Sequence, residues 1–203
     1  MVFTSSDRYE DELIWAAAWL YKATGELEYL TKAEEMYASR QQTWVSWSFD
    51  WADKLPGAQL LLYELTGKSK LVLPGRELFQ KIFSLRYKDD IEQFCDAALA
   101  VQKSPGGQTF RAQWGSNRYA SNFAFICLGV SSAPFIKGNL FFLQQAANAG
   151  IKTAEYRAYA SGQIGYMLGD NPSGFSYVVG YGDNFPKQPH HKVINSQHVT
   201  DEI

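Results

Sequence analysis

Apolar residues recur at helical spacing over most of the chain. From Asp11 to Tyr21 they fill several faces, with Ala16, Ala17, Ala18 and Leu20 as strong helix formers. A helix this apolar is expected to be buried on more than one side. Thr24-Gly25 should stop it, since glycine is preferred just past a helix end. A second helix follows, with Leu27, Leu30, Ala33 and Tyr37 on one stripe. The layout then repeats: Asp53 stands to Thr66-Gly67 as Asp11 stands to Thr24-Gly25. Repeated helical hairpins imply a solenoid or a closed toroid. A third clear helix starts near Arg118 and runs through Phe125. A fourth, Glu155 to Leu168, aligns Tyr156, Tyr159, Ala160, Ile164 and Met167, and Gly169-Asp170-Asn171-Pro172 ends it. The glycine- and aromatic-rich stretch from Ser173 to Pro189 reads as a structured loop, extended over Phe175 to Val179.

Two stretches break the pattern. Residues 71–86 interrupt the helix expected after Gly67, and residues 129–144 interrupt the one holding Phe123 to Leu128. Without 129–144, Cys127-Leu128 joins Gln145-Ala146 in one continuous helical pattern. The two stretches, with the tail 193–203, read either as translated introns or as surface insertions, which loops tolerate. The whole chain, 1–203, is otherwise one incomplete domain.

Composition narrows the function. The 203 residues carry six Trp, twelve Tyr and thirteen Phe, and such rings serve either core packing or ligand platforms. The net charge of -2 gives no footprint for nucleic acid. No apolar run is long enough to span a membrane. Met1-Val2-Phe3-Thr4 has neither the basic nor the apolar region of a signal peptide. Cys95 and Cys127 allow at most one disulfide, and no CxxC pair offers a zinc site. Glu34-Glu35 and Asp89-Asp90 read as solvated helix faces.

The most specific segment is Ser176-Tyr-Val-Val-Gly-Tyr-Gly-Asp-Asn184-Phe-Pro-Lys-Gln-Pro-His190-His191-Lys192. With Tyr166-Met-Leu-Gly-Asp-Asn-Pro172, Asp11-Glu12-Leu13, Trp114-Gly-Ser-Asn-Arg-Tyr-Ala120 and Trp51-Ala-Asp-Lys54, it closely resembles glycoside hydrolase family 9, the cellulases, in family order along the chain. The resemblance implies an all-α fold, a partial (α/α)6 barrel of helical hairpins. It implies hydrolysis of internal β-1,4-glucosidic bonds in cellulose and related β-glucans by an inverting acid/base mechanism. The implied partner is a β-1,4-glucan, with neither nucleic acid nor membrane involved.

By that resemblance Trp47 and Trp114 are platforms for the flat C–H faces of sugar rings, the bland alternative being core tryptophans. Arg118 lies four residues after Trp114, so a helix would bring both to one face. Its fork of donors suits sugar hydroxyls or a carboxylate, or else a plain surface ion pair. His190 is the active-site histidine of the signature, and Lys192 stands where the family has arginine. Asp11 and Glu12 match a pair that holds structural calcium in some members; the alternative is a solvated helix start, and no cofactor is otherwise required.

The two catalytic carboxylates are missing by motif. Glycoside hydrolysis generally needs one carboxylic acid and one carboxylate across the scissile bond. The family takes its base from an Asp-x-x-Asp motif before the region matching Phe3, and its acid from a glutamate after the histidine signature. This chain is therefore expected to lack activity alone, and the family implies secretion of the whole protein. A non-catalytic glucan-binding remnant is the alternative. A helical-repeat scaffold ranks lower, because it would have no need of Pro189-His190 beside a Gly-x-Asn turn.

Overall fold

The computed structural model describes residues 9–40, 45–68, 77–132 and 142–187. Six helices follow in order: α1 Glu10–Thr24, α2 Leu27–Ser39, α3 Leu55–Lys68, α4 Glu77–Ala100, α5 Ser116–Ser132 and α6 Phe142–Leu168. Among the described residues there is no strand, only an isolated bridge between Lys103 and Thr109. The helices pair as hairpins, α1 with α2, α3 with α4 and α5 with α6, and α1, α3 and α5 also pack in sequence.

Local chemistry sets the ends. Gly25 takes φ 75°, and its N–H returns to the Tyr21 carbonyl at 2.8 Å. A side chain at that φ would be strained, which is why glycine stands there. Thr24 Oγ1 donates to the Leu20 carbonyl at 2.9 Å and accepts from the Glu26 N–H at 3.1 Å. Thr66 makes the same backward bond to Leu62, 2.7 Å, but α3 continues to Lys68, past the expected stop. The repeat is thus looser than its spacing: Asp11 lies inside α1, whereas Asp53 precedes α3.

The stripe on α2 is the one expected, with Leu30, Ala33 and Tyr37 buried. Glu34 joins them at 1% exposure, and Asp90 accepts the Tyr37 hydroxyl. Neither acidic pair is therefore a purely solvated face. Successive helical residues are about 100° apart, so one carboxylate of each pair turns inward. On α6, Tyr156, Ala160 and Met167 are buried, but Ile164 is 41% exposed and Gln163 takes its place inside. Gln163 accepts from the Thr109 N–H (2.7 Å) and donates to the Gly107 carbonyl (3.1 Å), so its burial leaves no polar group unpaired.

Residues 77–86, within the first interrupting stretch, are the opening turns of α4. Part of the second stretch likewise belongs to the end of α5 and the start of α6. Residues 193–203 lie outside the described residues. Cys95 on α4 and Cys127 on α5 are fully buried and joined as a disulfide, with their Cα atoms 5.5 Å apart. Around it Phe94 meets Phe123 at 5.3 Å, and Ile91, Ile126 and Tyr156 complete the core.

Candidate functional site

Three segments build one face beside the α5 N-terminus: residues 45–54, the connection 101–115, and the first turns of α5. The first is shaped by Asp50. Its Oδ1 accepts the Ala52 N–H at 2.9 Å, its Oδ2 accepts the Ser48 hydroxyl at 3.3 Å, and its own N–H reaches the Asp53 carbonyl at 3.1 Å. This turn is pinned at both ends. Asn122 on α5 donates to the Phe49 carbonyl at 2.6 Å, and the Lys54 N–H donates to Asp11 Oδ2 on α1 at 2.6 Å. Phe49 stays close to α3 because Gly57 has no side chain; a Cβ there would sit 2.6 Å from the Phe49 ring.

The connection 101–115 is pinned from the other side. Lys103 Nζ caps the end of α4 through the carbonyls of Leu99 (2.9 Å) and Val101 (2.8 Å). Thr109 is held by Gln163 and by the Tyr159 hydroxyl, 2.9 Å away. Gly106 permits the approach to α6, since a Cβ would meet Pro172 at 2.7 Å and Tyr166 at 2.8 Å.

On this frame Trp47 is half-exposed and Trp114 is 78% exposed, so neither is a core tryptophan. Arg111 lies over the Trp47 ring, its Cζ 4.5 Å from the centroid, and its Nε donates to the Trp47 carbonyl at 3.0 Å. Burial pushes the Arg111 guanidinium down from its ordinary value, yet arginine keeps its charge. Tyr119 meets the Trp47 ring at 5.1 Å, nearly perpendicular. Arg118 lies over Tyr119 at 4.4 Å, donates to its hydroxyl, and reaches Asp50 Oδ2 at 3.7 Å. Trp47 and Arg118 are thus joined through Tyr119.

The reason given for pairing Trp114 with Arg118 does not hold. Trp114 precedes α5, and Gly115 at φ 68° turns the chain between them, so helical spacing does not apply. The ion pair that is the alternative role of Arg118 does exist, but with a buried carboxylate, Asp50. Asp50, Arg111, Tyr119 and Asn122 escaped the sequence reading. Asp50 adjoins Trp51-Ala52-Asp53-Lys54 and Arg111 lies three residues before Trp114, but nothing local marks either as a contact.

His190 and Lys192 lie outside the described residues. The loop leading to them is ordered by Asn171, which donates to the carbonyls of Tyr166 and Phe175, both at 2.7 Å, and accepts the N–H groups of Ser173 and Phe175, both at 3.2 Å. The extended run expected over Phe175 to Val179 forms no strand, and bends and a turn occupy Tyr177 to Val179.

Asp11 and Glu12 sit at the other end of the Asp50–Lys54 turn. A hydrogen bond with Asp11, then burial, raises the Glu12 carboxyl above its ordinary value. Glu12 Oε2 is buried with no hydrogen-bond partner. An orphaned carboxylate oxygen beside a second carboxylate suits a hard cation. Among the described residues, however, no group of three or more His, Cys, Asp or Glu could hold one. Asp53 is raised chiefly by burial and already accepts the Leu55 N–H at 3.0 Å.

Comparison with known proteins agrees with this architecture. The sequence model of glycosyl hydrolase family 9 matches residues 1–202. Endoglucanase 14 of Arabidopsis thaliana is 34% identical over 98% of this chain, and endoglucanase B of Cellulomonas fimi is 37% identical over 95%. This chain spans 39% of the first and 17% of the second. The crystal structure of endoglucanase CelQ from Clostridium thermocellum, complexed with cellobiose and cellotriose, superposes with a TM-score of 0.70 and 32% identity, over 93% of this chain and 29% of that one. The fold is accordingly part of the (α/α)6 barrel seen in those cellulases. The chain belongs to glycosyl hydrolase family 9.

Proposed function

From that membership we propose that this chain forms part of the glucan groove of a secreted endo-β-1,4-glucanase, which hydrolyses internal bonds of cellulose and related β-glucans with inversion. The observation that carries the reading is the half-exposed Trp47, joined through Tyr119 to the Arg118 guanidinium, with the exposed Trp114 just before the same helix. A glucan offers flat C–H faces that indole rings cover, and Arg118 supplies planar donors for hydroxyls. The bound cello-oligosaccharides of the Clostridium relative support the same ligand class.

The chemistry needs an acid and a base across the scissile bond. Asp50 pairs with Arg118, and its oxygens also accept from the Ala52 N–H and the Ser48 hydroxyl, contacts that shape its own turn. No carboxylate of this chain fits either role by motif. The chain alone therefore binds glucan without cleaving it. His190 and Lys192 add substrate contacts by the family signature. Asp11 and Glu12 are too few to hold a calcium ion by themselves, so a calcium role for them needs further oxygen ligands. The buried Cys95–Cys127 disulfide supports an oxidising, extracellular setting.

The test is affinity electrophoresis of the purified chain in soluble cellulose, alongside a reducing-sugar assay. Retardation that Trp114→Ala abolishes, with no sugar release, is the expected result. Release of reducing sugar would overturn the non-catalytic part, and absence of retardation the binding part. Transcript sequencing separates a glucan-binding remnant from a piece of an active enzyme. The enzyme reading expects a longer message that carries both catalytic motifs and omits the codons for 71–86 and 129–144.

A further inference from the structure

We infer that Arg111 is the positioning residue of the Trp47 platform, a step that rests on Trp47 contacting glucan. Arg111 is wedged between two rings: its Cζ is 4.5 Å from the Trp47 centroid and 5.9 Å from that of Phe123. Phe123 is a core residue, 2% exposed, on α5. The guanidinium therefore spans from the hydrophobic core to the underside of a half-exposed indole. Its Nε bond to the Trp47 carbonyl, 3.0 Å, fixes the backbone of the same residue whose ring it supports. Ring and main chain are thus held by one side chain. Trp47 lies in a segment without regular structure, so its own backbone bonds do not set its orientation.

The geometry has a functional consequence. A sugar platform gains affinity when its ring is already in the binding orientation, because ordering a free side chain on binding costs entropy. Arg111 supplies that order, and Tyr119 limits the ring at its other contact. Arginine suits the task because its planar fork can stack on an aromatic face and donate from Nε together, which lysine cannot do. Arg111 need not touch the glucan.

A double-mutant cycle on cellohexaose binding by the full chain decides the matter. Arg111→Leu should weaken binding roughly fivefold when Trp47 is present, the scale of a partly desolvated cation–π contact. The same change should do nothing further in a Trp47→Ala background. A merely structural arginine would cost as much in both backgrounds, and that result would overturn the inference. Arg111→Lys, which keeps the charge and fold, should behave like Arg111→Leu; full binding by the lysine variant would overturn it also. Acrylamide quenching provides a readout independent of glucan. The Trp47 contribution, taken as the difference from Trp47→Phe, should become more accessible once Arg111 is removed. If the unaltered chain fails to bind, the groove reading has failed, and unchanged quenching then sinks the positioning role separately.

Discussion

The same three-residue device occurs twice in this molecule, once enclosed and once open. At the α2–α4 contact, Arg40 lies over Tyr37 at 4.5 Å and within 3.7 Å of Asp90. At the α5 N-terminus, Arg118 lies over Tyr119 at 4.4 Å and within 3.7 Å of Asp50. The difference is where the guanidinium faces. The Arg40 side chain is 11% exposed and that of Arg118 is 41% exposed. In the enclosed copy, Gln59 also donates to Tyr37, at 3.2 Å, and Arg40 Nε and Nη1 are buried without a hydrogen-bond partner. In the open copy, the buried carboxylate is Asp50, at 7%, and the cation retains donors toward solvent. Identical chemistry thus serves packing where it is enclosed and is available for a ligand where it is not.

The disulfide ties the helices that carry the two copies, so breaking it is the strongest perturbation. Cys95→Ser with Cys127→Ser frees a loop closed across 32 residues, and should cost about 3–4 kcal/mol in urea unfolding by the loop-entropy relation. Asp90→Ala leaves Arg40 and the Tyr37 hydroxyl without their acceptor and should cost about 2–3 kcal/mol, with glucan affinity of the folded fraction unchanged. Arg118→Gln should reverse that pattern. Stability should fall by about 1 kcal/mol, because the Ala52 N–H and the Ser48 hydroxyl still hold the buried Asp50 carboxylate, while glucan binding weakens about tenfold. Equal stability losses at both sites would erase the distinction between them.

The smallest effect concerns pH. Burial raises the Asp53 carboxyl above its ordinary 3.8, so the folded chain holds that proton to higher pH than the unfolded chain does. Its stabilising contribution is complete below 3.8 and is lost as pH rises through the raised value. Asp53→Asn keeps the acceptor for the Leu55 N–H and should flatten this slope, changing stability at neutral pH by under about 0.5 kcal/mol. A slope unchanged in urea melts across the acidic range would show that Asp53 does not set it.

Much of the helical plan could be read directly. The α2 stripe, the Gly25 stop and the break at Gly169 follow from local steric and periodic rules, which act within a few residues. Glu34 and Ile164 were misjudged because polarity was taken as a guide to exposure. Burial of Gln163 depends on partners from the distant connection 101–115, the Gly107 carbonyl and the Thr109 N–H, 56 and 54 residues away. Resemblance singles out Trp47, Trp114 and Arg118 as site residues, but helical spacing does not join the last two. A single glycine at positive φ moved Trp114 off the helix.

Local sequence accounts for the α2 stripe, the stop of α1 at Gly25 and the family, because propensity, period and motif are properties of neighbouring residues. Long-range packing settles which arginine is enclosed, which tryptophans stay open and that Cys95 meets Cys127. Each of those depends on segments far apart in the chain, as Cys95 with Cys127, Arg111 with Trp47 and Asn122 with Phe49 show at separations of 32, 64 and 73. No local rule fixes such a distance; the joint packing of α1, α3 and α5 does.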